Sequence, residues 1–508
     1  MQNAARRSDP YEEGLSLSRH GHHVEAIEHF ERALALKPDD PRVLFALGNT
    51  ARALDMAGPA EEFFRRVLAL EPGRIEALVN LANLLRANGD QAAARALLEP
   101  ALERSPEAPE LWLTLGSVAR ELGEHARAEA HYREALSRDP DCAPALGNLA
   151  DLRSDAGADK EALMLYDRAL RCEPNNAQAR LNRAVLHLSQ GRLKEGWRDY
   201  AARLQLPAKA PVRDHGLPAW CGENLKRKRL LVTAEQGVGD QMMFASLVPA
   251  LLDRAEREGG SVILECEPRL VTLFARSFPR ASVVPAQIEQ RGGVHHASYG
   301  WLKTMGGANC ATEIGTLPRY LGNALAAFPD PHAYLRPDPD EIARSRDVFA
   351  ARPAIGICWR SGKLTGGRAL QYAPLELWAH LLAELEGTIV CAQYDATPEE
   401  IAHLEALSGC EIVVPEALDQ KNELDRTAAM LRALDVVVSA PTAVSWLASG
   451  AGVPTLKLLY HASWTSFAQN CEPLAPACQC ITPEIAGDWG EVFGNAESLI
   501  ARMAVAKT

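Results

Sequence analysis

The sequence predicts two architectures in one chain: an all-α solenoid of repeated helix pairs over residues 1–205, then a pair of doubly wound α/β units over 226–335 and 336–508, joined to it by a linker at 206–225. Three observations carry this. Pro38, Pro72, Pro106, Pro140 and Pro174 recur every 34 residues, and such a period marks stacked helix pairs. From Arg229 onward short apolar runs alternate with helical stretches, the order expected of a parallel sheet covered by helices. A proline-rich passage at Pro329–Pro339 interrupts that alternation, which restarts at Ala354. With 508 residues the chain is too long for a single core.

Each repeat position has a physical reason. Ala26, Ala60, Ala94, Ala128 and Ala162 share one phase, where two helices must approach closely. Phe30, Phe64, Leu98, Tyr132 and Tyr166 share another and are expected to fill the gap between neighbouring repeats. Gly21, Gly89, Gly123, Gly157 and Gly191 fall at the turn inside each pair, where a left-handed backbone is required. The second repeat departs, with Asp55 in phase and Gly58 nearby. This register resembles the tetratricopeptide repeat family. A sixth unit from Ala177 carries Gly191 and Tyr200, but Gly196 replaces the packing alanine and no proline closes it, so it reads as a cap. Asn80, Asn148 and Asn182 share one position on the first helices. Their amides suit the backbone of an extended peptide, an acceptor-binding ladder; the alternative is solvated helix residues, as Ala46 and Thr114 occupy that phase in other repeats.

Composition narrows the function. The balance of 54 Lys+Arg against 66 Asp+Glu gives a net charge of −12, against a general nucleic-acid or anionic-membrane binder. The one basic run, Lys226–Arg229, adjoins a strand and reads as its solvated entry. The opening "MQNAARRSDP" has no apolar core, so no secretory signal is expected, and no stretch has the length to span a bilayer. Eleven cysteines without framework spacing fit a reduced, cytoplasmic chain. Cys478 and Cys480 lack a second pair at zinc spacing and read as packing. The D-P-D strings at Asp139–Asp141 and Asp338–Asp340 read as helix caps, so no metal and no cofactor is expected.

"LPAKAPVRDHGLPAWCGE", from Leu206, has no sustained period and reads as linker. Strands follow at Arg229–Ala234, Ser261–Cys266 and Ala281–Ala286, then at Ala354–Trp359, Thr388–Ala392, Glu411–Pro415, Asp435–Ala440 and Thr455–Leu459. Ligands of such sheets bind at the carboxyl ends of strands, which makes a cleft between the two units the expected site.

Three strand ends carry unusual residues. "AEQGVGDQMM" places Gly237 and Gly239 between Glu235 and Asp240. It fails as a dinucleotide fingerprint, lacking the third glycine. Asp240 suits a base at a cleft mouth, with Glu235 in reserve, or a helix cap. "CWRSGKLTGGRALQY" gathers Arg360, Lys363 and Arg368 with Ser361 and three glycines, donors suited to a diphosphate. "SAPTAVSWLASGAGVP" opens a helix at Thr442, with Ser445 expected to face the same side one turn later.

Together these segments resemble the bacterial heptosyltransferase-like glycosyltransferases of the two-domain GT-B fold. "GRLKEGWRDYAARLQLP" followed by "AEQGVGDQMMFASLVP" is similar to the members that fuse tetratricopeptide repeats to such a domain. The resemblance implies Asp240 as catalytic base and Arg360, Ser361, Lys363 and Thr442 around the diphosphate of a nucleotide-sugar donor, and Gly237, Gly239 and Ser445 are expected to line the same donor site. Pro441 and Trp446 stand where the family has an aspartate and a histidine, which implies an altered donor or a domain that no longer catalyses. Members of this architecture include ones associated with flagellin modification. A flagellin is therefore the expected acceptor, a protein held by the repeats, and a nonulosonic acid the expected sugar. The competing expectation is a repeat scaffold, an adaptor with a vestigial transferase domain.

Overall fold

The computed structural model describes residues 9–206, 211–291, 294–322, 324–328, 333–349, 353–362 and 371–505. The chain forms two compact units, divided between Arg180 and Leu181.

The first unit is five antiparallel helix pairs, from Pro10–Arg19 with His23–Leu36 to Ala143–Asp155 with Asp159–Cys172. Their starts follow from the sequence. Asp40 accepts the Arg42 amide at 3.0 Å as an N-cap, with Pro41 at the first helical position, where its missing N–H costs nothing. The five phased alanines, Ala26 to Ala162, have no exposure at all. Gly21, Gly89, Gly123 and Gly157 take φ between 73° and 84°, and Asp55 takes φ 56° in the same role. The second repeat thus keeps its turn, since aspartate tolerates the left-handed region better than most residues. The phased rings lie against the first helix of their own pair, where a Cβ on Gly14, Gly48 or Gly116 would lie 2.5–2.7 Å from Phe30, Phe64 or Tyr132. They also share clusters with the following repeat, Phe30 with Val43 and Leu47, Phe64 with Leu78 and Leu81, and Tyr132 with Leu149 and Leu152.

The asparagine ladder makes bonds within the solenoid. Asn80 donates to Asn49 Oδ1 at 2.9 Å and Asn148 to Ser117 Oγ at 3.4 Å, each across to the preceding repeat. Arg86–Glu121 at 2.6 Å and Arg120–Asp151 at 2.9 Å likewise link one repeat to its neighbour. Two of the three amides therefore tie repeats together, and Asn182 falls in the second unit.

The second unit begins with the helices Ala177–Ser189, which crosses the division, and Leu193–Tyr200. The sequence boundary at 205 is therefore displaced: Trp197 and Tyr200 sit in one core with Leu230, Phe244 and Phe467. Strands β1 (Val212–Arg213), β5 (Ile288–Arg291) and β6 (Val294–Ala297) form a small sheet in the order β1-β6-β5. Strands β2 (Arg229–Thr233), β3 (Ser261–Cys266), β4 (Ser282–Pro285) and β7 (Cys310–Glu313) form a parallel sheet in the order β4-β3-β2-β7.

A six-stranded parallel sheet follows, built of β8 (Ala354–Cys358), β9 (Thr388–Cys391), β10 (Ile412–Val413), β11 (Val436–Ser439), β12 (Thr455–Leu458) and β13 (Cys478–Ile481). Its order is β10-β9-β8-β11-β12-β13. The expected linker is partly structural, because Trp220 is buried and its amide donates to the Ala311 carbonyl at 2.7 Å. Its prolines and glycines hid that pairing. Asp338 caps the helix Pro339–Val348, as expected, and Cys478 packs inside β13.

Candidate functional site

In a parallel sheet the strand order reverses at one point, where the loops after adjacent strands diverge and leave a crevice. In the first sheet this point lies beside β2, flanked by β3 and β7; in the second it lies beside β8, flanked by β9 and β11. The three segments singled out by their composition follow β2, β8 and β11. They are thus at the two switch points.

The turn after β2 leads into the helix Val238–Ala245, with Gly237 as N-cap. Asp240 is its third residue, not its cap, and its Oδ2 accepts the Gly237 amide at 3.2 Å. Gly239 faces the helix that follows β11, since a Cβ there would lie 3.5 Å from Ala443 Cα and 3.7 Å from Trp446 Cδ1. The turn therefore meets the helix Ala443–Gly450, whose N-cap is Thr442. Asp240 is half-buried and Gly237 exposed. These two segments lie against one another.

Glu235 is corrected. It is buried, accepts from Arg203 Nε at 3.0 Å and Nη2 at 2.5 Å, and takes the Gly315 amide at 2.7 Å. Gly315 has to lack a side chain, because a Cβ would run into that carboxylate and lie 3.0 Å from Phe244. Enclosed and hydrogen-bonded to Arg203 and the Gly315 amide, Glu235 anchors the turn and does not open on the cleft as a reserve base would. Arg203 lies in the segment "GRLKEGWRDYAARLQLP", where nothing singled it out, and Gly315 carried no motif signal.

Arg360 is corrected too. Its guanidinium is bidentate to Glu400, at 2.6 and 2.7 Å, and Nη1 lies 3.1 Å from Asp395 Oδ2. The Glu400 hydrogen bonds raise its pKa further, so it is a permanent cation already neutralised by two carboxylates. Its backbone is held as well: Gln393 Oε1 accepts the Trp359 and Arg360 amides at 3.1 and 3.0 Å. Ser361 is half-buried beside it, and the Gly362 amide donates to Tyr394 OH at 2.7 Å. Lys363, Gly366, Gly367 and Arg368 lie outside the described residues.

Thr442 Oγ1 accepts the Val444 amide at 3.3 Å and sits 3.4 Å from Cys358 Sγ, whose pKa burial pushes up to about 11. Ser445 has no exposure and donates to the Thr442 carbonyl at 2.8 Å, so its hydroxyl is turned back onto its own helix. A serine one turn into a helix bonds back to its own helix readily. Trp446 has its ring under the Lys457 ammonium, 3.9 Å from the centroid. Burial opposes the charge of Lys457, but Glu472 at 2.7 Å more than offsets it, leaving its pKa raised. Trp446 is thereby fixed between Lys457 and Gly239.

Residues 11–75, 79–143 and 113–177 match the tetratricopeptide repeat family, and 165–198 match a second description of it. The N-terminal region is therefore built of tetratricopeptide repeats. Protein FlbA of Caulobacter vibrioides is 33% identical over 319 residues, 62% of this chain and 53% of FlbA. The chain thus spans about half the length of that curated relative. Among solved structures, a thermophilic repeat protein of Thermus thermophilus is 29% identical, covering 35% of this chain and 97% of that one, with a TM-score of 0.32. YrrB, a repeat protein with an unusual peptide-binding site, is 19% identical over 34% of this chain and 88% of its own, with a TM-score of 0.27. Among the described residues no helix is long and apolar enough to cross a membrane.

Proposed function

We propose that the chain is a GT-B glycosyltransferase that moves a sugar from a nucleotide donor to a protein held by its tetratricopeptide repeats. Repeats of this family are protein-binding surfaces, and the second unit has the tandem parallel sheets that such an enzyme needs. One observation carries the reading: the turns after β2 and β11, at the switch points of two different sheets, meet at Gly239 and Ala443. Asp240 is the candidate base for an acceptor hydroxyl. The helix beginning at Thr442 offers its N-terminal amides to the departing phosphate. Lys363 is the candidate cation, since Arg360 is already paired. A flagellin acceptor and a nonulosonic-acid donor remain the finer part of the proposal.

The pairing of Arg360 favours a second reading, a repeat adaptor whose transferase half no longer binds donor. Calorimetry with a panel of nucleoside diphosphates and nucleotide sugars, followed by a donor-hydrolysis assay, separates the two. The transferase reading expects saturable binding of one nucleotide and slow hydrolysis of its sugar ester. A folded protein that binds none of them is an adaptor.

A further inference from the structure

We infer that the helix Leu193–Tyr200 and the turn after it are a clamp on the segment that presents Asp240, with Tyr200 and Arg203 as its positioning residues. The consequence for turnover rests on the transferase reading; the clamp itself does not. Gln236, in the middle of that segment, takes φ 57°. A residue with a Cβ holds that conformation only where its surroundings over-determine it, and such residues gather at functional sites.

Four successive residues are each held by a different side chain. Glu265 accepts the Ala234 amide at 3.2 Å, Arg203 grips Glu235, Gln236 Nε2 donates to Tyr200 OH at 3.2 Å, and Asp240 accepts the Gly237 amide. Two of the four come from positions three apart in the clamp. They act as a unit: Arg203 Nη1 donates to the Tyr200 carbonyl at 3.1 Å, and its guanidinium lies 4.6 Å over the Tyr200 ring.

The helix is seated on both sheets' loops. Trp197 Nε1 donates to the Gly322 carbonyl at 3.1 Å, and its ring meets Phe467 edge-on at 5.6 Å. Tyr200 stands 5.5 Å from Trp464. A shift of this helix therefore moves the Glu235–Gln236 peptide relative to the helix that starts at Ala443.

The test uses the full chain with Tyr200→Phe, which removes one hydroxyl, and Arg203→Lys, which keeps the charge and loses the fork. Amide hydrogen exchange is read peptide by peptide, with donor turnover beside it. The clamp predicts about five- to tenfold faster exchange across 235–239 in Tyr200→Phe, the equivalent of one net hydrogen bond, with the β8 and β11 amides unchanged. Turnover should fall through kcat, with the donor KM preserved. Unchanged exchange at 235–239 in both folded variants overturns the clamp. So does equal acceleration across the whole unit, which would make the two residues ordinary core. If the wild-type chain turns over no donor, the transferase reading fails while the exchange result still decides the clamp.

Discussion

Arg203 and Glu235 form a two-pronged ion pair at 3.0 and 2.5 Å, with both side chains at most 2% exposed. Thirty-two residues separate them in sequence, and the expected domain boundary at 205 falls in between. Taking one partner away strands a charge in the interior, which costs about 3–5 kcal/mol, whereas replacing both by apolar residues is often neutral. Fragment 181–508 should therefore fold, and fragment 206–508, which lacks Arg203, Tyr200 and Trp197, should not. In the full chain Arg203→Met should lower the urea midpoint of the second unit, with Arg203→Met/Glu235→Met recovering most of the loss. Equal midpoints for the single and double variants would refute this account.

Asp240 has two separable duties. As the brace on the Gly237 amide it needs only an acceptor oxygen, which asparagine supplies. As a base it needs the carboxylate. Asp240→Asn should keep the melting temperature and donor affinity while turnover drops by roughly 10²–10⁴-fold. Asp240→Ala should lose both turnover and about 0.5–2 kcal/mol of stability, in the range of other lost helix-end bonds. Near-normal turnover in the asparagine variant would leave the brace as the only function.

Arg360 is expected to behave as a structural residue. Arg360→Met leaves Glu400 and Asp395 without their cation and should destabilise the second unit by about 1–3 kcal/mol. Nucleotide affinity of the folded variant should stay within about twofold of wild type, well under the tenfold that about 1.4 kcal/mol represents. A loss of tenfold or more in calorimetry returns the arginine to the phosphate site.

Gly239 lies where the two switch-point turns meet. Its added Cβ would have ordinary contacts, at 3.5 Å to Ala443 Cα and 3.6 Å to its Cβ. Gly239→Ala should thus be tolerated. Gly239→Leu overpacks the contact and should cost about 1–3 kcal/mol, with donor turnover lost first. Wild-type turnover in the leucine variant would place the reacting groups elsewhere.

The first unit should carry an acid-sensitive cap. The Arg42 guanidinium holds the Asp40 carboxyl well below its ordinary range. A carboxylate with a lower pKa in the folded state stabilises it fully above the unfolded value, about 3.9. That stabilisation is lost as pH falls toward the folded value. The urea midpoint of fragment 1–180 should therefore decline as pH drops below about 4, and Asp40→Asn, which still caps, should flatten that decline. Identical pH profiles would assign the acid limb to other carboxylates.

The sequence by itself determined whatever is written as a local or periodic preference. The 34-residue phase places Ala26, Phe30 and their counterparts in the core and Gly21 at a left-handed turn, because a helix pair meets the same neighbours in every repeat. Even Asp55 obeys that phase. The apolar runs located β2, β3, β8, β11 and β12, and turn composition located the loops after them. β7 and β13 were not legible, since "CATE" and "CQCI" have neither length nor apolar continuity.

Only the tertiary structure decided what the charged and polar side chains do. Glu235, Arg360 and Ser445 look alike in a string, as polar groups at strand ends. Their roles follow from Arg203, Glu400 and the Thr442 carbonyl, which lie 3.0, 2.6 and 2.8 Å from them in space. Two of those three partners are 32 and 40 residues away along the chain. Hydrophobic periodicity records which face is buried. It carries no term for which opposite charge arrives there, and the energy of a buried ion depends almost wholly on that partner.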